Sequence, residues 1–346
     1  MIERCAENPI IRPEDVKPSR DGYKVMGAFN PGAVLFGDRI LLLLRVAETC
    51  TQREGFVRVP VWSFESGGSQ PEILEFRSDD PDLRLKDTRG VVYKGKKYLT
   101  TLSHIRVATS TDGIHFTVRE KPFIFPSEPR ERFGCEDARV LFLDGRYYIN
   151  FTVVSEDSWA TMLAVTEDFV NVSRLGLIFH PENKDVAVFP EKIGGKYAAL
   201  HRPNNSGFGK ASIWYAESPD LLHWGNHRCI VRPRETHWEA MKIGGGAPPL
   251  KTPEGWLVIY HAKGEGSVYS LFCLLLDLEE PWKVVRRAEK PLLAPELPFE
   301  REGFFGNVVF TNGMVEKDGR IFLYYGAADQ YVGLAFTTVE ELLSSF

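Results

Sequence analysis

The chain has 346 residues, of which 43% are apolar and 12% aromatic, enough for a sizeable core. A net charge of −5 and a pI near 6.0 argue against a surface built to hold nucleic acid or anionic lipid. The opening MIERCAENPI lacks the apolar core of a signal peptide, and runs such as Ile40–Leu44 are too short to cross a bilayer. Five scattered cysteines without a CxxC pair read as buried reduced thiols, so the expected location is cytoplasmic.

In chain order, one local pattern recurs six times: a short apolar run, a tight turn ending near a glycine, then a second apolar run. The stretches are GAVLFGDRILLLLRVAE, RGVVYKGKKYLTTLSH, ARVLFLDGRYYINFT, AVFPEKIGGKYAALHRP, APPLKTPEGWLVIYHAK and NVVFTNGMVEKDGRIFLYYGAAD. Their turn glycines are Gly37, Gly95, Gly145, Gly195, Gly255 and Gly319, spaced 58, 50, 50, 60 and 64 residues apart. A β-hairpin repeating at such a period is the signature of a propeller, whose blades stack around one axis. Weaker strand–turn–aromatic elements follow several hairpins and fit the outer strands of four-stranded blades: IRVATSTDGIHF, MLAVTEDFVNV, SIWYAESPDLLHW and LFCLLLDLEEPW. The only helix signal is TVEELLSSF, with Thr338 as its cap. No Gly/Ser- or Pro-rich linker interrupts the repeat, so residues 1–346 read as a single all-β domain. Six hairpins imply six blades, or five if one blade is closed jointly by the chain ends; periodicity leaves that open.

An antiparallel hairpin brings the start of its first strand and the end of its second to one open end. Radial stacking gathers those ends on one face. Entering the first strands are Asn30, Asp87, Glu136, Asp137, Lys184, Asp185, Lys242 and Asn307; leaving the second are Arg45, Glu48, His104, His201, Arg202, His261 and Asp329. Any one of these reads equally well as a solvated strand boundary. The set as a whole predicts a polar basin with two kinds of charge.

The carboxylates, with Asn30, Arg89 and an aromatic such as Phe305 or Tyr331, suit a sugar ring. Cleaving a glycosidic bond also needs a carboxylic acid whose pKa is raised by burial or by neighbouring carboxylates. Asp137 is the choice, because strand alternation sends Glu136 to the other side; its structural alternative is a pair with Arg139. The cations are the sharper clue. Two like charges about 4 Å apart repel by ~4 kcal/mol at an effective dielectric of 20. Lys184, Arg202, Lys242 and His261 are therefore expected to surround an anion, with Arg202 able to grip phosphate through two parallel bonds. The glycines at 244–246 would let backbone or ligand approach closely. No metal spacing, serine elbow or phosphate-loop motif occurs, and His104, His201 and His261 are poor candidates for a metal. Trp214, Trp224, Trp238, Trp256 and Trp282 read as packing residues.

At these same residues the sequence resembles glycoside hydrolase family 130, the β-mannoside phosphorylases and related β-mannosidases. The stretches that carry the resemblance are GAFNPGAV, LLLLRVAE, FGCEDARV, ENKDVAVFPEKIGGKYAALHRP, SPDLLHWGNHR, KIGGGAPPLKTPEGWLVIYH, GFFGNVVF and YYGAAD. ENPIIRPEDVKP, EDARV and ENKDV…HRP are most similar to family members acting on β-1,2-linked mannobiose and oligomannan. The resemblance implies a five-bladed propeller, with the blade count set by shared closure. It places Asp137 on the general acid, whose proton in the family is thought to pass through the mannose 3-hydroxyl. Lys184, Arg202, Lys242 and His261 fall on phosphate-holding positions, and Asn30, Arg45, Asp87 and Asp329 on mannose-subsite positions. Arg89, His201, Phe305 and Asn307 complete the expected substrate contacts. Lys184 stands where some members carry arginine, and YHAK where YHG is common. Hydrolytic members are understood to lack much of the cationic set.

The expected activity is inverting phosphorolysis of β-1,2-mannosides by inorganic phosphate, giving α-mannose 1-phosphate. The alternatives are a β-1,2-mannosidase of the same fold, a phosphorylase for another β-mannoside such as mannosyl-glucose, and a non-catalytic sugar-binding propeller. The expected partners are a small carbohydrate and phosphate, with no nucleic acid, membrane, metal or organic cofactor; self-association is left open.

Overall fold

The run RILLLLRVAETC is apolar at consecutive positions because it is buried on both faces. Leu42, Leu44 and Val46 enter one core cluster, and Leu41 and Leu43 enter another. The computed structural model describes residues 2–64, 69–204 and 207–346, and almost all regular structure in it is β.

Five antiparallel units follow one another. The first holds β2 (Tyr23–Phe36), β3 (Arg39–Cys50), β9 (Leu102–Ser110) and β10 (Thr117–Val118). The second holds β11 (Gly134–Leu143), β12 (Arg146–Ser155), β13 (Ser158–Thr166) and β14 (Ser173–Phe179). The third is β15 (Asn183–Val188), β16 (Tyr197–Pro203), β17 (Ile213–Ser218) and β18 (Gly225–Val231). The fourth is β19 (Lys242–Gly245), β20 (Leu250–Thr252), β21 (Gly255–Lys263), β22 (Tyr269–Leu276) and β23 (Val284–Arg287). The fifth is β24 (Val309–Lys317), β25 (Arg320–Ala327) and β26 (Tyr331–Thr337), completed by β1 (Glu3–Arg4), whose Arg4 pairs with Ala335.

Units one and two join through a single parallel pairing, Gly134 with Ser103. A side chain at Gly134 would meet the Ser103 backbone at 2.7 Å, and its φ of +120° also requires glycine. The large hydrophobic clusters lie between neighbouring units. One joins units one and two, another two and three, then three and four, four and five, and the last joins five back to one. Each fully buried leucine or isoleucine in them contributes about 1.5–3 kcal/mol.

Two expectations change here. The hairpin around Gly95 belongs to no unit. It forms β7 (Gly90–Tyr93) and β8 (Lys96–Leu99), which with β6 (Leu83–Asp87) make a small separate sheet. Together with the ribbon β4 (Phe56–Ser63) and β5 (Gln70–Arg77), this sheet is a lobe inserted between β3 and β9, with its own small core of Val59, Phe76 and Val91. IRVATSTDGIHF therefore supplies the outer strands of the first unit, not of a second. Six hairpins yield five units because one is an insertion, although the N-terminal strand does also close the fifth.

The outer turns have a common chemistry. Asp112, Asp168, Asp220 and Asp277 each accept hydrogen bonds from the backbone N–H groups two and three residues onward. At the C-terminus α2 (Val339–Leu343) is capped by Thr338, whose hydroxyl accepts from Glu341 N at 3.2 Å.

Three fully buried glutamates tie the connections between units to neighbouring strands. Glu131 receives Arg174 Nε at 2.8 Å and Ser127 N at 2.6 Å. Glu239 receives Arg234 Nη2 at 2.9 Å, Arg287 Nη2 at 2.6 Å and the Tyr260 hydroxyl at 2.8 Å. Glu300, in α1 (Pro298–Arg301), receives Arg4 Nε at 2.8 Å, the Tyr325 hydroxyl at 2.9 Å and Glu296 N at 2.7 Å. Each precedes the first strand of a unit and binds side chains of that same unit, so these clusters act as latches that pin each incoming connection to the sheet it enters.

Candidate active site

Four of the five first strands carry a bulge near their entrance: between Phe29 and Gly32, Glu136 and Arg139, Lys184 and Ala187, and Phe310 and Gly313. In three of them an Asn or Asp adopts left-handed backbone: Asn30 (φ 48°), Asp137 (φ 50°) and Asp185 (φ 57°). Asn and Asp tolerate that region best among side chains with a Cβ. A bulge interrupts alternation and re-aims its side chain. All three residues line one cavity of about 1320 Å³, as do Glu136 and Lys184. Glu136 thus shares the cavity with Asp137, contrary to the expectation from alternation.

Asp137 is buried. Its Oδ1 accepts from Asn30 Nδ2 at 3.0 Å and Arg45 Nη1 at 3.3 Å, while Oδ2 lies 3.6 Å from Lys184 Nζ. Arg45 also donates Nη2 to Glu136 Oε1 at 2.8 Å and Nε to Ser103 Oγ at 3.1 Å. Burial pushes the Asp137 carboxyl up, but Arg45, Lys184 and the Asn30 amide together outweigh it and hold the group below the ordinary carboxylate value. The raised pKa expected for this residue is therefore not present in the ligand-free pocket. Arg139 is not its side-chain partner. It donates to the carbonyls of Gly245 and Gly246 at 3.0 Å each, and to the Asp137 backbone carbonyl at 3.2 Å.

The predicted cations meet on the adjoining wall. Lys184, Arg202, Lys242 and His261 all line the cavity. Among the described residues the Arg202 side chain gives only its Nε to a protein acceptor, Asp185 Oδ2 at 2.5 Å. Among the described residues Lys242 forms no ion pair, and its Nζ sits 5.5 Å from the Tyr269 ring centre. Burial first, then the charges of Arg202 and Lys184, drive the Lys242 ammonium well below the usual lysine value. His261, pushed down to about 3 mainly by burial, is a neutral imidazole. The glycine run is required by packing. A Cβ on Gly244 would sit 2.5 Å from Asp185 Oδ2, and one on Gly246 2.5 Å from the Ile259 carbonyl.

A third wall mixes the inserted lobe with the fifth unit. Asp87 accepts from Arg89 Nη2 at 3.1 Å, Arg89 Nη1 lies 3.6 Å from Asp329 Oδ2, and the Arg89 guanidinium covers the Phe305 ring at 3.5 Å. Thr88 bonds the Phe304 carbonyl across the same seam. Asn307 (φ 58°) and Asp329 (φ 50°) also face the cavity. Burial, reinforced by the charges of Asp137 and Glu136, raises the Asp329 carboxyl despite Arg89 and Arg45.

Some candidates fall outside. His201 lies on the opposite face of β16 from Arg202, stacked on Phe179 at 4.5 Å and bonded to Asn183 and His227. Adjacent residues of this strand point to opposite faces, so His201 does not line the cavity while Arg202 does. Glu48 is buried apart from the cavity, taking Ser19 N at 2.6 Å and lying near His104 and Arg106. Tyr331 and the five tryptophans considered above are also absent from the lining, whereas Trp159 and Tyr269 belong to it. The chief omission from the candidate set is Asp185. Its signal was available: NKDVAV occupies the place in its repeat that CEDARV does in the one before. Among the described residues no group of three His, Cys, Asp or Glu side chains is placed to hold a metal.

Comparison with known proteins gives the chain a family. Residues 82–346 match glycoside hydrolase family 130, described as beta-1,4-mannooligosaccharide phosphorylase. The chain is 43% identical to a beta-1,2-mannobiose phosphorylase of Listeria innocua over 99% of its length and 97% of the relative's. It is 40% identical to a 1,2-beta-oligomannan phosphorylase of a Thermoanaerobacter species, over 71% of this chain and 82% of that one. The solved structure of the Listeria innocua β-1,2-mannobiose phosphorylase bound to β-1,2-mannobiose superposes with a TM-score of 0.96, covering 99% of this chain and 98% of that one.

Proposed function

This chain belongs to glycoside hydrolase family 130, and from that premise we propose that it is an inverting phosphorylase of β-1,2-linked mannobiose and oligomannosides. The observation that carries the proposal is the wall of Lys184, Arg202 and Lys242 beside Asp137, with Lys242 unpaired and Arg202 bound to protein only through Nε. Such a wall is electrostatically strained when empty, and a phosphate dianion relieves the strain.

In the reaction, a phosphate oxygen attacks the anomeric carbon from the face opposite the leaving group. The C1–O bond breaks as the new C–O bond forms, and the departing oxygen takes a proton from Asp137, directly or through the mannose 3-hydroxyl. The products are α-mannose 1-phosphate and a sugar one unit shorter. Phosphate is already a competent nucleophile, so no side chain has to act as a base and the cations position and stabilise charge. Arriving phosphate competes for Lys184 and brings negative charge beside Asp137, so the carboxyl takes up a proton from solvent before it donates one to the departing oxygen. Proton donation is thereby favoured only when the nucleophile is present.

Asn30, Arg45, Asp87, Arg89, Phe305, Asn307 and Asp329 are proposed to hold the mannose. The architecture is proposed to be a single-domain five-bladed β-propeller, supported by five units whose shared cores return to their starting point. A cytoplasmic location is proposed from the unpaired cysteines. Among the described residues no helix is long and apolar enough to cross a membrane.

The test is β-1,2-mannobiose incubated with and without inorganic phosphate. α-Mannose 1-phosphate forming only with phosphate is the expected result. Free mannose released equally well without phosphate assigns the enzyme instead to hydrolysis.

A further inference from the structure

We propose that Asp185 is a positioning residue for the phosphate nucleophile: it grips Arg202 by Nε and lies beside His261, so that the terminal nitrogens of Arg202 remain free to take the anion. This rests on the phosphorolytic reading above. Asp185 is 1% exposed and held in left-handed backbone at a bulge. Its Oδ2 lies 2.5 Å from Arg202 Nε and 3.4 Å from His261 Nε2, and its Oδ1 lies 3.6 Å from Arg139 Nη2. The three partners come from β16, β21 and β11, so one carboxylate fixes side chains of three sheets around the cation wall. Arg139 is anchored independently to the Gly245 and Gly246 carbonyls, which makes the carboxylate's own place rigid.

Two physical effects of Asp185 on phosphate have opposite sign. By charge alone, a carboxylate near a dianion repels it, and removing the carboxylate tightens binding. By geometry, a guanidinium held at Nε presents its two terminal N–H groups as a preset fork, and freeing it loosens binding. The close Arg202 Nε contact on Asp185 Oδ2, at 2.5 Å, offsets the carboxylate's charge and so favours geometry.

The experiment compares Asp185→Asn, Arg202→Lys and the double variant, each titrated with inorganic phosphate at saturating β-1,2-mannobiose and the reverse. Asp185→Asn is expected to raise the phosphate KM about 10- to 100-fold and the mannobiose KM by less than about threefold. The double variant is expected to be no worse than Arg202→Lys alone, since both changes remove one interaction. Gly244→Ala provides a second route: its Cβ would sit 2.5 Å from Asp185 Oδ2 and 2.6 Å from His261 Cε1, displacing both from their contact, and the same selective rise in phosphate KM is expected. It also keeps the test decisive if Asp185→Asn does not fold. A lower phosphate KM in Asp185→Asn, an equal rise in both KM values, or additive effects in the double variant would overturn the proposal. Unsubstituted enzyme that turns over without phosphate removes the phosphorolytic reading, and this inference with it. Phosphate dependence with any of the three contrary results removes the inference alone.

Discussion

The latch at Glu300 and the pocket at Asp137 both bury a carboxylate against arginine, yet they finish the job differently. Both Glu300 oxygens are saturated by Arg4, the Tyr325 hydroxyl and two backbone N–H groups. Asp137 gives one oxygen to Asn30 and Arg45 and holds the other 3.6 Å from a lysine. A complete set of partners makes a fastener. A set one partner short makes a place where a ligand finishes the bonding.

The comparison is sharpest if the same chemical change is made in each place. Asp137→Asn is expected to lower turnover by about 10²–10⁴-fold, the usual worth of a general acid, while the melting temperature stays near that of the parent. Release of α-mannose 1-phosphate from β-1,2-mannobiose measures the first, and a thermal scan the second. Glu300→Gln should do the reverse, costing about 1–3 kcal/mol of stability because an amide cannot accept from all the donors that converge on the buried carboxylate. Urea titration reads that loss, and the folded fraction should keep its turnover number. A variant that hits activity and stability together in either place breaks the distinction.

Smaller effects follow. Lys242→Ala should raise the phosphate KM about tenfold or more, the loss of a charge-assisted contact, and leave the mannobiose KM within about twofold. Equal changes in both would remove Lys242 from the anion wall. The mildest test is pH. Burial raises Glu239 and Glu300, but their arginine partners and backbone donors overcome it, so both sit below the usual carboxylate value when folded. Their stabilisation is then complete above the unfolded value near pH 4.3 and drains away as pH falls through the folded values. The melting temperature should fall with acid below about pH 4, and Glu300→Gln should flatten that slope. An unchanged slope in the variant would show that the latch is not what titrates.

Much of this molecule was legible because its repeats are local. An apolar run, a turn and another apolar run specify a hairpin whatever sheet it joins. The same locality misled at Gly95, where GVVY and KKYL make an equally good hairpin but are four residues long and half-exposed. What separates them from Arg39–Cys50 is burial on both faces, a property of the neighbours. Asp137, Lys184, Arg202, Lys242 and His261 were found together because strand ends converge. His201 was misplaced because convergence does not say which of two adjacent side chains looks inward. Asp185 was passed over because a Lys-Asp pair at a strand end looks like ordinary solvated charge, and the bulge that turns it inward leaves no mark in composition. The latches were invisible for a related reason: Arg4 and Glu300 are 296 positions apart.

That separation has a consequence for how the protein is made. The strand at Glu3–Arg4 leaves the ribosome long before its partner at Tyr331–Thr337. At about 5–20 residues per second, the clasp of the bracelet waits unfastened for some tens of seconds while every link between is synthesised. Throughout that interval the nascent chain is an open arc, with one bare sheet edge at each end.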